Sequence, residues 1–181
     1  YSKHSFPFSP PILQKRIFSS KPNYGDLVVF KTPSDNRTDF IKRLIGLPGD
    51  EIQIRNGELF INNKKIFKTK IDNLLNIRCG ENLSEVYFYE EELPNKKKYT
   101  SVYNRKGSMV NSDIYIVPDK HYFFLGDNRD CSRDSRFLSS VGYVHEENLV
   151  GRARIIFFSN DTIEGSVLKF WNWHNSIRLN R

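Results

Sequence analysis

The chain has 181 residues, 28 Lys and Arg against 21 Asp and Glu, a formal net charge of +7 and a pI near 9.4. A hydrophobic fraction of 38% with 14% aromatic residues supplies a real core and excludes wholesale disorder. The longest apolar runs, such as Ile155-Ile156-Phe157-Phe158, fall far short of the roughly 20 residues that span a bilayer. Two cysteines, Cys79 and Cys131, cannot make a disulfide framework, and four histidines without paired spacing argue against a structural zinc site or any other metal. The first residue is Tyr1 rather than Met, so the chain reads as a fragment or a processed product.

The basic charge, with 14 Phe, 9 Tyr and 2 Trp, suits three different roles. Aromatics that stack on bases beside cations that track phosphates would make an RNA-binding β-domain. The same composition suits a domain resting on an anionic membrane surface, or simply a solvated basic face. The longest basic run, Lys96-Lys97-Lys98, falls between Pro94 and Tyr99, where a loop is expected. Charge alone does not choose among them.

Residues 1–25 hold Pro7, Pro10, Pro11 and Pro22 and read as irregular, extended chain. From Asp26 the pattern is β. Leu27-Val28-Val29-Phe30 follows a Tyr24-Gly25-Asp26 turn, Thr32 to Asn36 turns again, and Asp39 to Ile45 forms the next strand. Gly46-Leu47-Pro48-Gly49-Asp50 breaks it. Ile52 and Ile54 then alternate with polar residues up to Asn56-Gly57, a hairpin signal because both residues tolerate positive φ. Leu59 and Ile61 alternate on the return strand, and Asn62-Asn63 turns toward Ile66-Phe67. From about Thr69 to Asn111 the alternation is weak, and this stretch reads as an inserted, smaller β-rich subdomain. The main pattern resumes with Ile114 to Val117, a Pro118-Asp119-Lys120 turn and Tyr122 to Leu125, and Val150 to Phe158 reads as a final long strand. The tail, with Leu168, Phe170, Trp171, Trp173, Ile177 and Leu179, suits either packing against the sheet or contact with lipid headgroups.

Two segments carry chemistry. The first is Lys42-Arg43-Leu44-Ile45-Gly46-Leu47-Pro48-Gly49-Asp50. Residues two apart in a strand share a face, which puts Lys42 beside Phe40 and Leu44. Desolvation there drives a lysine pKa down, as a general base requires. At an ordinary pKa of about 10.4 only about one lysine in 2,500 is neutral at pH 7, and lowering it by about three units corresponds to about 4 kcal/mol. The plainer alternative is a snorkelling lysine with its stem on Phe40 and its ammonium in water. The second segment is Gly126-Asp127-Asn128-Arg129-Asp130-Cys131-Ser132-Arg133-Asp134-Ser135-Arg136, directly after the apolar Tyr122 to Leu125 strand. It reads either as a solvated loop or as one pinned by Asx turns and Asp–Arg pairs, with Ser132 free to hydrogen-bond an amine.

Together, and in this order, the two segments resemble the type I signal peptidases, membrane-bound serine endopeptidases that remove signal peptides from exported proteins. The Lys-Arg-x-x-Gly-x-Pro-Gly-Asp motif is Lys42 to Asp50, and Gly-Asp-Asn-x-x-x-Ser-x-Asp-Ser-Arg is Gly126 to Arg136. Tyr24 to Phe30 and Asn148 to Ala153 look like the family's flanking strands, and Tyr1 to Ser5 looks like a segment of α-proteobacterial members.

The resemblance implies a mainly β fold, an antiparallel sheet or partial barrel core. Residues 1–68 form its first part, 69–111 the inserted subdomain and 112–181 its second part. It implies Lys42 as the general base and Ser132 as the hydroxyl that orients it. Arg43 with Asp127 and Asp134 with Arg136 would support the site. Asp39, Phe40 and Ile41 would bind substrate, with Asp39 to Lys42 pairing to it as an added strand. Alternation puts Ile41 and Lys42 on opposite sides, a conflict that a twisted edge strand would relieve. The expected partners are preprotein signal peptides and the membrane surface, with no nucleic acid and no cofactor. The expected location is the bacterial inner membrane, with the catalytic domain on the periplasmic side.

One departure is serious. The family's nucleophile is a serine in a Ser-Met-x-Pro-Thr context before the lysine, and none precedes Lys42. Ser2, Ser5, Ser9, Ser19, Ser20 and Ser34 lack the following Met, and Ser108-Met109 comes too late and lacks the Pro-Thr. The nucleophile and the membrane anchor are therefore expected upstream of Tyr1, and the chain by itself is expected to be inactive. A catalytically inactive homologue, another Ser–Lys peptidase and an RNA-binding β-domain stay open as rivals.

Overall fold

The computed structural model describes residues 21–79, 82–104 and 109–153. In chain order the strands are β1 (Leu27–Lys31), β2 (Asp39–Gly46), β3 (Glu51–Arg55), β4 (Glu58–Ile61), β5 (Lys64–Lys65), β6 (Phe67–Cys79), β7 (Asn82–Glu92), β8 (Lys98–Asn104), β9 (Tyr115–Ile116), β10 (His121–Leu125), β11 (Val144–His145) and β12 (Leu149–Arg152). A single 3₁₀ turn, Glu146–Asn148, joins the last two. The strands form three sheets, ordered β11-β10-β2-β1-β12, β5-β4-β3-β9 and β6-β7-β8, with antiparallel strand pairs throughout. The mainly β expectation holds.

The turn chemistry acts where the residue types demand. Asn56 and Gly57 take φ of 50° and 73° between β3 and β4, and Asn62 and Asn63 take 50° and 60° before β5, the left-handed pairs of tight hairpins. Alternation sets what each sheet buries. Leu44 enters one core cluster with Val28, Phe30 and Phe124. Its neighbour Ile45 enters another with Ile52, Ile61 and Phe123. The second half of β2 is thus a wall shared by two cores, whereas Asp39 and Ile41 in its first half are exposed.

β2 is an interior strand, not the edge that its sequence suggested. It pairs with β1 from Asp39 to Arg43, but β10 flanks its other side only from Arg43 to Gly46. There β10 ends at Leu125 and the chain turns away. Among the described residues, Asp39 to Lys42 therefore keep one free edge inside a five-stranded sheet.

The weakly alternating stretch is a separate three-stranded sheet that begins at Phe67 rather than Thr69. Its hydropathy period is faint because cations cover its rings. Lys68 Nζ stands 5.0 Å from the Tyr89 ring centroid and 4.3 Å from that of Tyr103, and Lys70 Nζ 3.8 Å from that of Tyr87. The Lys96-Lys97-Lys98 run is matched residue by residue with Glu92, Asp26 and Glu90. The last strand among the described residues is β12, and residues 154–158 of the predicted Val150–Phe158 strand, residues 1–20 and the aromatic tail lie outside the described residues.

Candidate active site

Register brings the two chemical segments together. Leu125 pairs with Arg43, so the loop after β10 starts one residue from the level of Lys42. The loop then folds back on its own strand. The Ser135 amide donates to the Phe124 carbonyl at 3.0 Å, and Ser135 Oγ accepts the Phe124 amide at 2.9 Å. A loop tied at both ends to β10 has little freedom between them.

Two ion pairs, one partly and one fully buried, fix its outline. Arg43 donates through Nε and Nη2 to the two Asp127 oxygens, each at 2.7 Å, and through Nη1 to the Gly25 carbonyl at 3.0 Å. Its guanidinium also lies over Tyr99, 4.4 Å from the ring centroid. Arg136 is bidentate on Asp134, at 2.8 Å from both Nε and Nη2, and the Gly126 amide donates to the same carboxylate at 3.0 Å. Asp134 is fully buried. Such fork-on-carboxylate pairs fix orientation as well as distance.

Within this frame the Lys42 Nζ donates to Ser132 Oγ at 2.9 Å. The amine stands 5.3 Å from the centroid of the Phe40 ring, on the face that alternation assigned it. Burial pushes the Lys42 pKa down from its ordinary value, Arg136 adds to that, and the carboxylates of Asp134 and Asp127 oppose it. The net is an amine that gives up its proton more readily than a solvated lysine.

Lys42 and Ser132 face an open cleft of about 300 Å³, lined also by Leu27, Ile41, Gly126 and Cys131. Of the residues expected to bind substrate, Ile41 lines the cleft and is half exposed. Phe40 packs edge-on against Phe30, with ring centroids 6.3 Å apart. Asp39 pairs with Lys31 at 3.2 Å on the surface. Ser34 is exposed, and the other serines weighed as nucleophiles lie outside the described residues. No group of His, Cys, Asp or Glu able to hold a metal ion occurs among the described residues.

Three features of the site escape sequence reading. Arg129, within the loop, is 4% exposed and bidentate on Glu91, itself 1% exposed, at 3.0 and 2.6 Å. Tyr99, Tyr103 and Ser101 also donate to that carboxylate, at 2.5, 2.6 and 2.9 Å. Cys131 is joined to Cys79 by a disulfide across a separation of 52 residues. Gly126 presents a bare Cα to the Ser132 side chain. The only signal for the first was an arginine that motif chemistry left without a partner.

The family model described as signal peptidase, peptidase S26, matches residues 8–158. Signal peptidase I of Rickettsia conorii is 40% identical over 200 residues, covering all of this chain and 72% of that protein. The Rickettsia prowazekii enzyme is 39% identical over 198 residues, covering all of this chain and 73% of that protein. A crystal structure of a signal peptidase I from Enterococcus faecalis is 26% identical, with a TM-score of 0.43 over 74% of this chain and 97% of that one.

Proposed function

The chain belongs to the signal peptidase family, peptidase S26, and on that premise we propose that it is the catalytic part of a Ser–Lys endopeptidase that cuts signal peptides from exported preproteins. As a member of that family it is a serine-type hydrolase of the α-proteobacterial kind. Lys42 is its general base. A neutral Lys42 amine takes the proton of the nucleophilic serine as that oxygen bonds to the scissile carbonyl carbon. The protonated lysine then returns the proton to the leaving amine, and an acyl-enzyme remains. Lys42 next deprotonates the water that releases the acyl group. Ser132 accepts a hydrogen bond from the amine and holds its lone pair toward the reacting oxygen. The nucleophile in this reading is a serine in a Ser-Met-x-Pro-Thr context, which does not occur before Lys42 in this sequence.

The observation that carries this reading is the 2.9 Å contact of Lys42 Nζ with Ser132 Oγ, in surroundings that lower the lysine pKa. The free edge at Asp39 to Lys42 supports an extended substrate added as a strand, with cleavage after a small-x-small sequence. The Cys79–Cys131 disulfide supports placing this domain on the periplasmic side of the inner membrane, because such bonds persist in oxidising compartments.

Competitive labelling of amines with acetic anhydride across pH, read residue by residue by mass spectrometry, tests the base without needing turnover. Lys42 is expected to titrate below the other lysines. A Lys42 midpoint equal to that of surface lysines would remove it from the role of base.

A further inference from the structure

We propose that Cys79 and Cys131 are positioning residues for the Lys42–Ser132 pair: their disulfide ties the loop, at the residue before Ser132, to the tip of the inserted hairpin. The proposal rests on the Ser–Lys reading above. The geometry starts at β8. Val102 and Asn128 form a parallel bridge, the Val102 amide donates to the Asp127 carbonyl at 2.8 Å, and the Arg129 amide donates to the Val102 carbonyl at 2.9 Å. Asp130 accepts the Asn104 amide at 2.7 Å. The segment from Asp127 to Asp130 thus runs beside β8, parallel to it, toward the end of the hairpin where Cys79 and Asn82 face each other.

At Cys131 the segment stops following β8 and reverses. Ser132 comes back onto Gly126 so closely that a Cβ there would lie 2.3 Å from the Ser132 Cβ. The Asp134 carboxylate does not take hold again until two residues later. The apex of Cys131, Ser132 and Arg133 is held at Cys131 by a hydrogen bond from the Cys131 amide to Asn128 Oδ1 at 3.3 Å and by the covalent link to Cys79. A long amide contact is weak, so the disulfide fixes the apex, and the apex carries the hydroxyl that meets Lys42.

Losing the bond frees the apex to move and lets water reach Lys42. Better hydration of the ammonium raises the lysine pKa. The charged groups facing Lys42, namely Asp134, Asp127 and Arg136, keep their own ion pairs, so the change is read at the amine. The loss is therefore in kcat at neutral pH and shrinks as pH rises.

The test uses Cys79→Ala, Cys131→Ala and the double variant, in the enzyme together with its catalytic serine, and the native enzyme treated with tris(2-carboxyethyl)phosphine. In that treatment the phosphine becomes its oxide with an oxygen from water while the S–S bond opens to two thiols. All four samples are expected to raise the Lys42 labelling midpoint alike and to lower kcat about tenfold at pH 7, with KM within about twofold. The phosphine should not change the double variant further. Reduction of the already folded enzyme decides the matter where a variant fails to fold. Unchanged midpoint and kcat in any folded sample shown by thiol counting to lack the bond overturn the proposal, as do two free thiols in the untreated enzyme. Lys42→Met separates this from failure of the underlying reading: if that variant still cleaves, the Ser–Lys assignment falls whatever the cysteines do.

Discussion

Ser132 lies against the bare Cα of Gly126, so that a methyl group at position 126 would stand 2.0 Å from the Ser132 Oγ. Glycine is required there by a close approach, not by a left-handed φ. In the enzyme together with its catalytic serine, Gly126→Ala should push the hydroxyl away from Lys42 and lower kcat by about 100-fold, the scale on which a misplacement of about 1 Å acts. KM and the far-ultraviolet circular dichroism should stay near the native values. A variant with native kcat would separate Ser132 from the chemistry.

Lys42→Arg should be as inactive as Lys42→Met, because a guanidinium keeps its proton at any working pH. Ser132→Ala should lose less than either, since the base remains and only its orientation suffers. The check is kcat on one signal-peptide substrate for all three variants, each made in the enzyme together with its catalytic serine. Cleavage by the arginine variant would contradict a general base at this position.

The lowered Lys42 pKa also sets a stability dependence. Burial disfavours the ammonium in the folded chain, so between the folded value and the ordinary value near 10.5 the unfolded chain binds more protons. Stability therefore rises with pH across that window. Lys42→Met should therefore raise Tm at pH 7. The gain should fade toward pH 10.5. Calorimetry at several pH values reads it directly.

Glu91 behaves oppositely. Burial works against its charge, but Arg129 and the hydroxyls of Tyr103 and Tyr99 prevail and hold its pKa below the ordinary value. Its contribution is complete above about pH 4.5 and is lost as pH falls through the folded value. Glu91→Gln should cost about 3–5 kcal/mol at pH 7 by leaving Arg129 buried without a counter-charge. Urea midpoints should show that Glu91→Leu with Arg129→Met together costs less than either change alone. Additive losses would rule out a coupled pair.

What the sequence reveals depends on how far apart the partners lie along it. Lys42 with its strand, and Ser132 with its loop, are contiguous motifs, and Asn56-Gly57 marks its turn by itself. Glu91 and Arg129 are 38 residues apart and Cys79 and Cys131 are 52 apart. No local period links them, and only the folded hairpin of β6 and β7 brings them together. The place of β2 inside the sheet was equally hidden, because it follows from where β10 stops and not from anything in Asp39 to Gly46. The sheet of β6, β7 and β8 was blurred for a different reason: the lysines whose ammonium groups lie over tyrosine rings look polar in a pattern built on hydropathy.

Among the described residues, the early end of β10 at Leu125 leaves a gap in the sheet whose length is set by Asp39 to Lys42. A peptide that fills it does so by backbone hydrogen bonds, which every residue type except proline can supply in full. Alternate side chains of such a peptide point to the same wall. A groove filled in this way would interrogate positions two apart while ignoring the one between them, a rule of spacing rather than of sequence. That would let one protein process many unrelated leaders.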